Sequence, residues 1–221
     1  FLGLGSALVM LGIRYDSEQG LAFGARVAQA MRDEAYRASV DLAGEKGAFP
    51  ALDAERYLQS GFARRLPDDI RSAVAARGIR NSHLLSIAPT GTIALAFADN
   101  ASNGIEPAFA WSYTRRKRMP DGSTREYAVE DHAYRLFRER GGDAQCLPAA
   151  FVSALDMTAE QHLQMLVAVQ PFIDSSISKT VNVPADYPFE AFRRLYMQAW
   201  KAGLKGLATY RPNAVTGAVL S

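Results

Sequence analysis

Apolar residues recur at helical spacing through residues 17–46, where Leu21, Val27, Met31, Ala35 and Leu42 lie behind a Ser17 cap and ahead of Gly47 and Pro50. The spacing predicts one long amphipathic helix. Shorter helices are predicted at about residues 54–59, capped by Asp53, and at about 68–77, opened by Pro67 and closed by Gly78. His83-Leu84-Leu85-Ser86-Ile87-Ala88 is a short apolar run stopped by Pro89, the pattern of a buried strand. A Thr/Gly loop follows, and the apolar segment at residues 94–98 follows that. Residues 113–119 and 124–129 alternate on either side of Pro120-Asp121-Gly122-Ser123, which predicts a β-hairpin. Further helices are predicted at about 130–140, 158–169 and 187–202, and strands at 176–183 and 204–210. Within 187–202, Phe189, Phe192, Tyr196 and Trp200 recur at helical spacing and predict a core-facing stripe. Strands alternating with helices indicate an α/β protein with a largely parallel sheet or barrel.

Composition adds constraints but no function. The 221 residues are 48% hydrophobic and 22% charged, with a formal charge of +2, so neither long disorder nor a nucleic-acid tail is expected. The one cysteine, Cys146, excludes an internal disulfide and a multi-cysteine zinc site, and points to a reducing, cytoplasmic setting. The longest apolar run, residues 1–13, contains three glycines and stops at Arg14, too short to span a bilayer. No membrane association is expected. The sequence opens with Phe1 rather than Met, so it is expected to be a piece of a longer chain, 1–221 forming one fragment of a single domain.

The candidate chemistry centres on Ala88-Pro89-Thr90-Gly91-Thr92-Ile93. Gly91 lets a ligand approach the backbone, Thr90 and Thr92 offer hydroxyls, and unpaired amides at a helix start attract phosphate oxygens. The plainer alternative is a strand-to-helix connection with Thr92 as N-cap. His83, His132 and His162 lack metal-ligand spacing, and His83 borders the loop. Arg115-Arg116-Lys117-Arg118 sits in the predicted hairpin, where it reads as a charged edge that blocks strand aggregation rather than a nucleic-acid patch. Glu106 could serve as a general base with a pKa raised by burial, although the Asn103-Gly104 turn pair and Pro107 favour a role in fixing a turn. Ser175, Ser176 and Ser178 alternate as barrel lining and form no recognisable triad.

Arg80-Asn81-Ser82-His83-Leu84-Leu85-Ser86-Ile87-Ala88-Pro89-Thr90-Gly91-Thr92-Ile93, followed by Asn103-Gly104-Ile105-Glu106-Pro107, resembles the late catalytic barrel of ribonucleotide reductase large chains. Met10-Leu11-Gly12-Ile13-Arg14-Tyr15, Asp174-Ser175-Ser176-Ile177-Ser178-Lys179-Thr180-Val181-Asn182-Val183-Pro184 and Gly203-Leu204-Lys205-Gly206-Leu207-Ala208-Thr209-Tyr210-Arg211 agree with it, in the family's order. The resemblance implies the later half of a ten-stranded α/β barrel. It implies radical reduction of ribonucleotides to deoxyribonucleotides for DNA synthesis, with Ala88, Pro89, Thr90, Gly91, Thr92 and Ile93 holding the substrate phosphates. The Gly-Thr-Ile and Ser-Lys-Thr-Val-Asn wording is closest to the adenosylcobalamin-dependent class. Where metal-radical chains carry two adjacent tyrosines, this chain has Ala208 and Thr209, which cannot relay a radical; Tyr210 stands alone and is read as structural.

The resemblance also implies a ribonucleotide substrate, leaning toward a diphosphate with a triphosphate left open, a thioredoxin-type reductant, and an oligomer left open, a homodimer among the choices. The family's three reaction cysteines and its Asn-Pro-Cys-x-Glu loop are absent, and Cys146 lies in a different context, so no catalytic residue is assigned and the fragment alone is expected to be inactive. Relatives usually carry a few more residues between Gly5 and Ser6. Two alternatives stay open: a non-catalytic nucleotide- or phosphate-binding module, and a large chain served by a separate metal-radical subunit.

Overall fold

The computed structural model describes residues 1–211, except for the side chains of Lys117 and Arg118. Helix α1 (Leu4–Met10) leads into the long α2 (Glu18–Lys46), whose first turn is capped by Ser17, the Oγ accepting from the Gly20 amide at 3.0 Å. The buried face of α2 differs from the predicted stripe. Gly20, Gly24, Ala28, Arg32, Tyr36, Val40 and Ala43 face inward, whereas Met31 and Leu42 are 38% and 37% exposed. Close approach selects the small residues: a Cβ on Gly24 would stand 2.7 Å from Met165 Sδ, and one on Gly20 2.4 Å from the Arg14 carbonyl oxygen. Larger side chains therefore flank this contact.

Helices α3 (Ala54–Leu58) and α4 (Asp68–Arg77) pack on the second half of α2 around Tyr36, Val40, Leu66, Ile70, Val74 and Ile79. A larger core joins α1 and the first half of α2 to α7 (Ala159–Val169) and to the parallel strands, through Leu8, Ile87, Met165, Leu166, Val181 and Leu195. The short α5 (Gly91–Phe97) precedes the hairpin of β1 (Ser112–Arg118) and β2 (Thr124–Glu130) in the chain. Helix α6 (His132–Glu139) follows, its first amides bonded to the Asp131 carboxylate.

β3 (Thr180–Asn182) runs parallel to β4 (Ala208–Tyr210), and Ile87 bridges Ile177 in parallel, so the run at residues 83–88 lies on the far side of the 175–182 segment from β4. The mixed α/β reading holds. The strands are shorter than predicted: residues 83–88 make only that bridge, and the other two contract to three residues each. Among the described residues the pairs form two two-stranded sheets, without a closed barrel. Such ladders extend only as far as neighbouring backbone lies alongside.

Helix α8 (Phe189–Lys201) corrects the aromatic stripe predicted above. Leu195 and Ala199 are its buried residues, while Phe189 is 73% and Trp200 70% exposed. Helical spacing marks a stripe without saying which stripe meets the core.

Candidate functional site

The loop at residues 88–93 connects the Ile87 bridge to α5. Ala88, Pro89, Thr92 and Ile93 are exposed, and Thr90 and Gly91 are half-buried. Thr90, rather than the expected Thr92, is the N-cap residue of α5, and it holds a left-handed backbone with φ of 57°. That conformation costs a β-branched residue about 1–2 kcal/mol. Two hydrogen bonds hold it: Thr90 Oγ1 accepts from the Gly104 amide at 2.9 Å, and the Thr90 carbonyl accepts from the Ala94 amide at 2.8 Å. The Thr90 side chain is therefore occupied from behind, which leaves the Thr92 hydroxyl and the amides of the first turn of α5 on the outer side. Above Gly91 the space is open, since an added Cβ would meet nothing nearer than Asn103 Nδ2 at 3.6 Å.

Beneath the loop lies the Asn103-Gly104-Ile105-Glu106-Pro107 turn. Gly104 has φ of 45°, and a Cβ there would stand 2.8 Å from the Ala88 carbonyl oxygen, so only glycine fits against the strand end. Tyr15 Oη donates to the Ile105 carbonyl at 2.5 Å, and the Thr180 amide donates to Glu106 Oε1 at 3.0 Å. Burial raises the Glu106 pKa, opposed by the Lys179 charge and by the Thr180 amide. This geometry matches the turn-fixing reading of Glu106.

Sequence reasoning did not find the buried pair behind that turn. Lys179 is 1% exposed and His162 fully buried; Lys179 Nζ donates to His162 Nδ1 at 2.7 Å, and His162 Nε2 donates to the Ala154 carbonyl at 2.9 Å. These partners require the neutral ring with its proton on Nε2. Burial, reinforced by the Lys179 charge, lowers the His162 pKa to about 3. Burial lowers the Lys179 pKa to about 8, against the pull of Glu106. His162 projects from α7 and Lys179 precedes β3, so no local spacing in the sequence signals their meeting.

The other flagged residues lie elsewhere. His83 is exposed, with Nδ1 3.1 Å from Ser82 Oγ, and His132 sits 2.9 Å from Asp99 beside Arg135. Among the described residues no group of three or more His, Cys, Asp or Glu side chains is placed to hold a metal ion. Ser175 and Ser178 donate their amides to Leu85 and Ile87, and the Ser176 carbonyl accepts from the Ile87 amide, so all three serve the parallel pairing. Arg116 pairs with Glu126 at 2.8 Å directly across the hairpin. Cys146 is exposed. Thr209 Oγ1 lies 3.2 Å from Tyr196 Oη, and the Tyr210 carbonyl accepts from the Val183 amide. No described helix is long and apolar enough to cross a membrane.

Comparison with known proteins gives a coherent result. The model of the ribonucleotide reductase barrel domain matches residues 1–210. A vitamin B12-dependent ribonucleoside-diphosphate reductase of Mycobacterium tuberculosis is 35% identical across the whole of this chain, which covers 32% of that protein. The protein of the same name from Thermoplasma acidophilum and the vitamin B12-dependent ribonucleotide reductase of Streptomyces coelicolor are each 29% identical across the whole chain, which covers 28% of either. The chain thus spans about a third of the length of these relatives.

Proposed function

The chain belongs to the ribonucleotide reductase barrel-domain family, and from that premise we propose that it supplies the later half of the catalytic barrel of an adenosylcobalamin-dependent ribonucleoside-diphosphate reductase. In this reading residues 1–221 are one fragment of a ten-stranded barrel. Its task is to anchor the substrate phosphates on Ala88, Pro89, Thr90, Gly91, Thr92 and Ile93. The observation that carries the assignment is the half-buried, left-handed Thr90 hinge, which turns a strand end into a helix start and presents backbone amides under an open Gly91. Fixed donors of this kind favour an anion, because they need no reorganisation when it arrives. Anchoring the phosphates holds the ribose where a radical hydrogen abstraction requires it, with reacting atoms within about 3–3.5 Å.

Adenosylcobalamin supplies the radical when bound to the full-length enzyme. Two cavities among the described residues, about 340 Å³ beside Val9, Phe137 and Phe151 and about 240 Å³ between α2 and α4, are near or below the lower end of the range for small-molecule pockets, so neither by itself holds a corrinoid. Ala208 and Thr209 support local generation of the radical, since neither side chain can carry one in from a second subunit. The same reading implies a thioredoxin-type reductant, a cytoplasmic setting and a homodimer as one oligomeric arrangement.

The reading is tested by assaying a polypeptide of the relatives' full length that contains this segment. Deoxyribonucleoside diphosphate should form on addition of adenosylcobalamin and a dithiol, without a second subunit. Nucleotide binding with no turnover under those conditions would leave a binding module, and turnover only with a metal-radical subunit would move the chain to the other reductase class.

A further inference from the structure

The phosphate loop is held by one side-chain hydrogen bond, while the turn beneath it is held from three directions. On one side, a Cβ on Gly5 of α1 would stand 2.5 Å from the Glu106 carbonyl oxygen, and the Leu4 amide donates to the Gly104 carbonyl at 3.4 Å. From below, Tyr15 Oη donates to the Ile105 carbonyl. From the strand side, the Thr180 amide donates to Glu106 Oε1 at 3.0 Å, at the residue that follows the buried Lys179. Of these ties, the Glu106 carboxylate is the one made by a side chain of the turn itself.

The turn transmits its position to the loop at two points. The Gly104 amide donates to Thr90 Oγ1 at 2.9 Å, and Gly104 packs against the Ala88 carbonyl so closely that a methyl group would not fit. A displacement of Glu106 therefore moves Gly104, and with it the hinge that aims the first amides of α5. A buried carboxylate is costly unless paired. Here the partly buried Glu106 carboxylate is paired by the Thr180 amide, and the Lys179 charge nearby favours its ionised form; Lys179 is itself fixed by His162 on α7 at 2.7 Å and by the Thr180 carbonyl at 3.3 Å.

We infer that Glu106 is a positioning residue for the phosphate loop, locking the Asn103-Gly104-Ile105-Glu106-Pro107 turn onto the start of β3 so that Thr90 holds the loop amides in register for a diphosphate. This rests on the phosphate-loop reading above. It assigns Glu106 no contact with substrate and no proton transfer.

The test uses the full-length enzyme and steady-state kinetics with a ribonucleoside diphosphate, alongside binding of the same nucleoside without phosphates. Glu106→Ala is expected to raise KM for the diphosphate about tenfold, with a smaller fall in kcat. Glu106→Gln keeps an acceptor for the Thr180 amide and is expected to restore most of the loss. Nucleoside binding should not change in either variant. If Glu106→Ala does not accumulate as folded protein, Glu106→Asp replaces it: the shorter arm keeps the charge but withdraws from Thr180, and the same rise in KM is expected. An unchanged KM in the folded variants, or an equal loss in Glu106→Gln and Glu106→Ala, overturns the inference. Thr92→Val separates this from a failure of the loop assignment, because it touches the loop and not the turn. If Thr92→Val weakens diphosphate binding while Glu106→Ala does not, only the positioning role falls; if neither does, the loop assignment falls as well.

Discussion

Gly91→Ala in the full-length enzyme is expected to leave the fold as stable as before and to weaken diphosphate binding roughly tenfold to a hundredfold, equivalent to about 1.4–3 kcal/mol. The two effects separate because of where Gly91 sits. A methyl group there meets only Asn103 Nδ2 at 3.6 Å, an ordinary contact, and Gly91 is the first residue of α5 without a positive φ. Alanine is the better helix former, by up to about 1 kcal/mol in a helix interior, so the unliganded protein should gain slightly or not change. The methyl group does, however, project into the open space over the loop amides, where the phosphate oxygens are to sit. Each charge-assisted hydrogen bond displaced is worth about 1.5–3 kcal/mol, so losing one accounts for the expected range. Thr92→Val, which removes an exposed hydroxyl while keeping the side-chain shape, should show a smaller loss of the same kind. Isothermal titration with a diphosphate and thermal unfolding without ligand check both halves. A variant that binds normally, or that loses affinity only in step with stability, contradicts the assignment.

Asp174→Ala is expected to destabilise the protein by about 3–5 kcal/mol. The Asp174 carboxylate, 7% exposed, accepts from Tyr36 Oη at 2.8 Å and from the amides of Leu84 and Leu85 at 2.7 and 2.9 Å. It thereby ties the middle of α2 to the segment that leads into the loop at residues 88–93, and its carbonyl accepts from Lys205 Nζ just ahead of β4. Truncation leaves three buried or half-buried donors without a partner, each costing about 1–3 kcal/mol, partly relieved where water enters. Asp174→Asn, which keeps one acceptor oxygen, should lose less. Denaturant unfolding followed by two probes measures both, and a loss below about 1 kcal/mol for the alanine variant would show that the carboxylate is not the tie the geometry describes.

Much of the helical framework was legible because it depends on local signals. Ser17, Asp53 and Gly78 stand where the caps of α2, α3 and α4 form, and Pro120-Asp121-Gly122-Ser123 closes the hairpin between β1 and β2. The faces of the helices were less legible. Burial on α2 is decided by how closely α7 approaches Gly24, and on α8 by which side meets Leu195 and Ala199, neither of which periodicity records. The loop at residues 88–93 was visible as a composition change and through family likeness, but Thr90 as the left-handed cap was not. Its conformation depends on Gly104, fourteen residues away, reaching back to its hydroxyl. The Lys179 and His162 pair was illegible for the same reason, since two segments distant in sequence meet only once the parallel strands pack on α7.

Whether the first turn of α5 grips the phosphates of a ribonucleotide is decided by a crystal structure of the full-length enzyme with a bound ribonucleoside diphosphate. Phosphate oxygens are expected within hydrogen-bond distance, about 2.7–3.2 Å, of the backbone amides at residues 91–93 and of the Thr92 hydroxyl. A diphosphate bound at another site, with this loop unliganded, would contradict it.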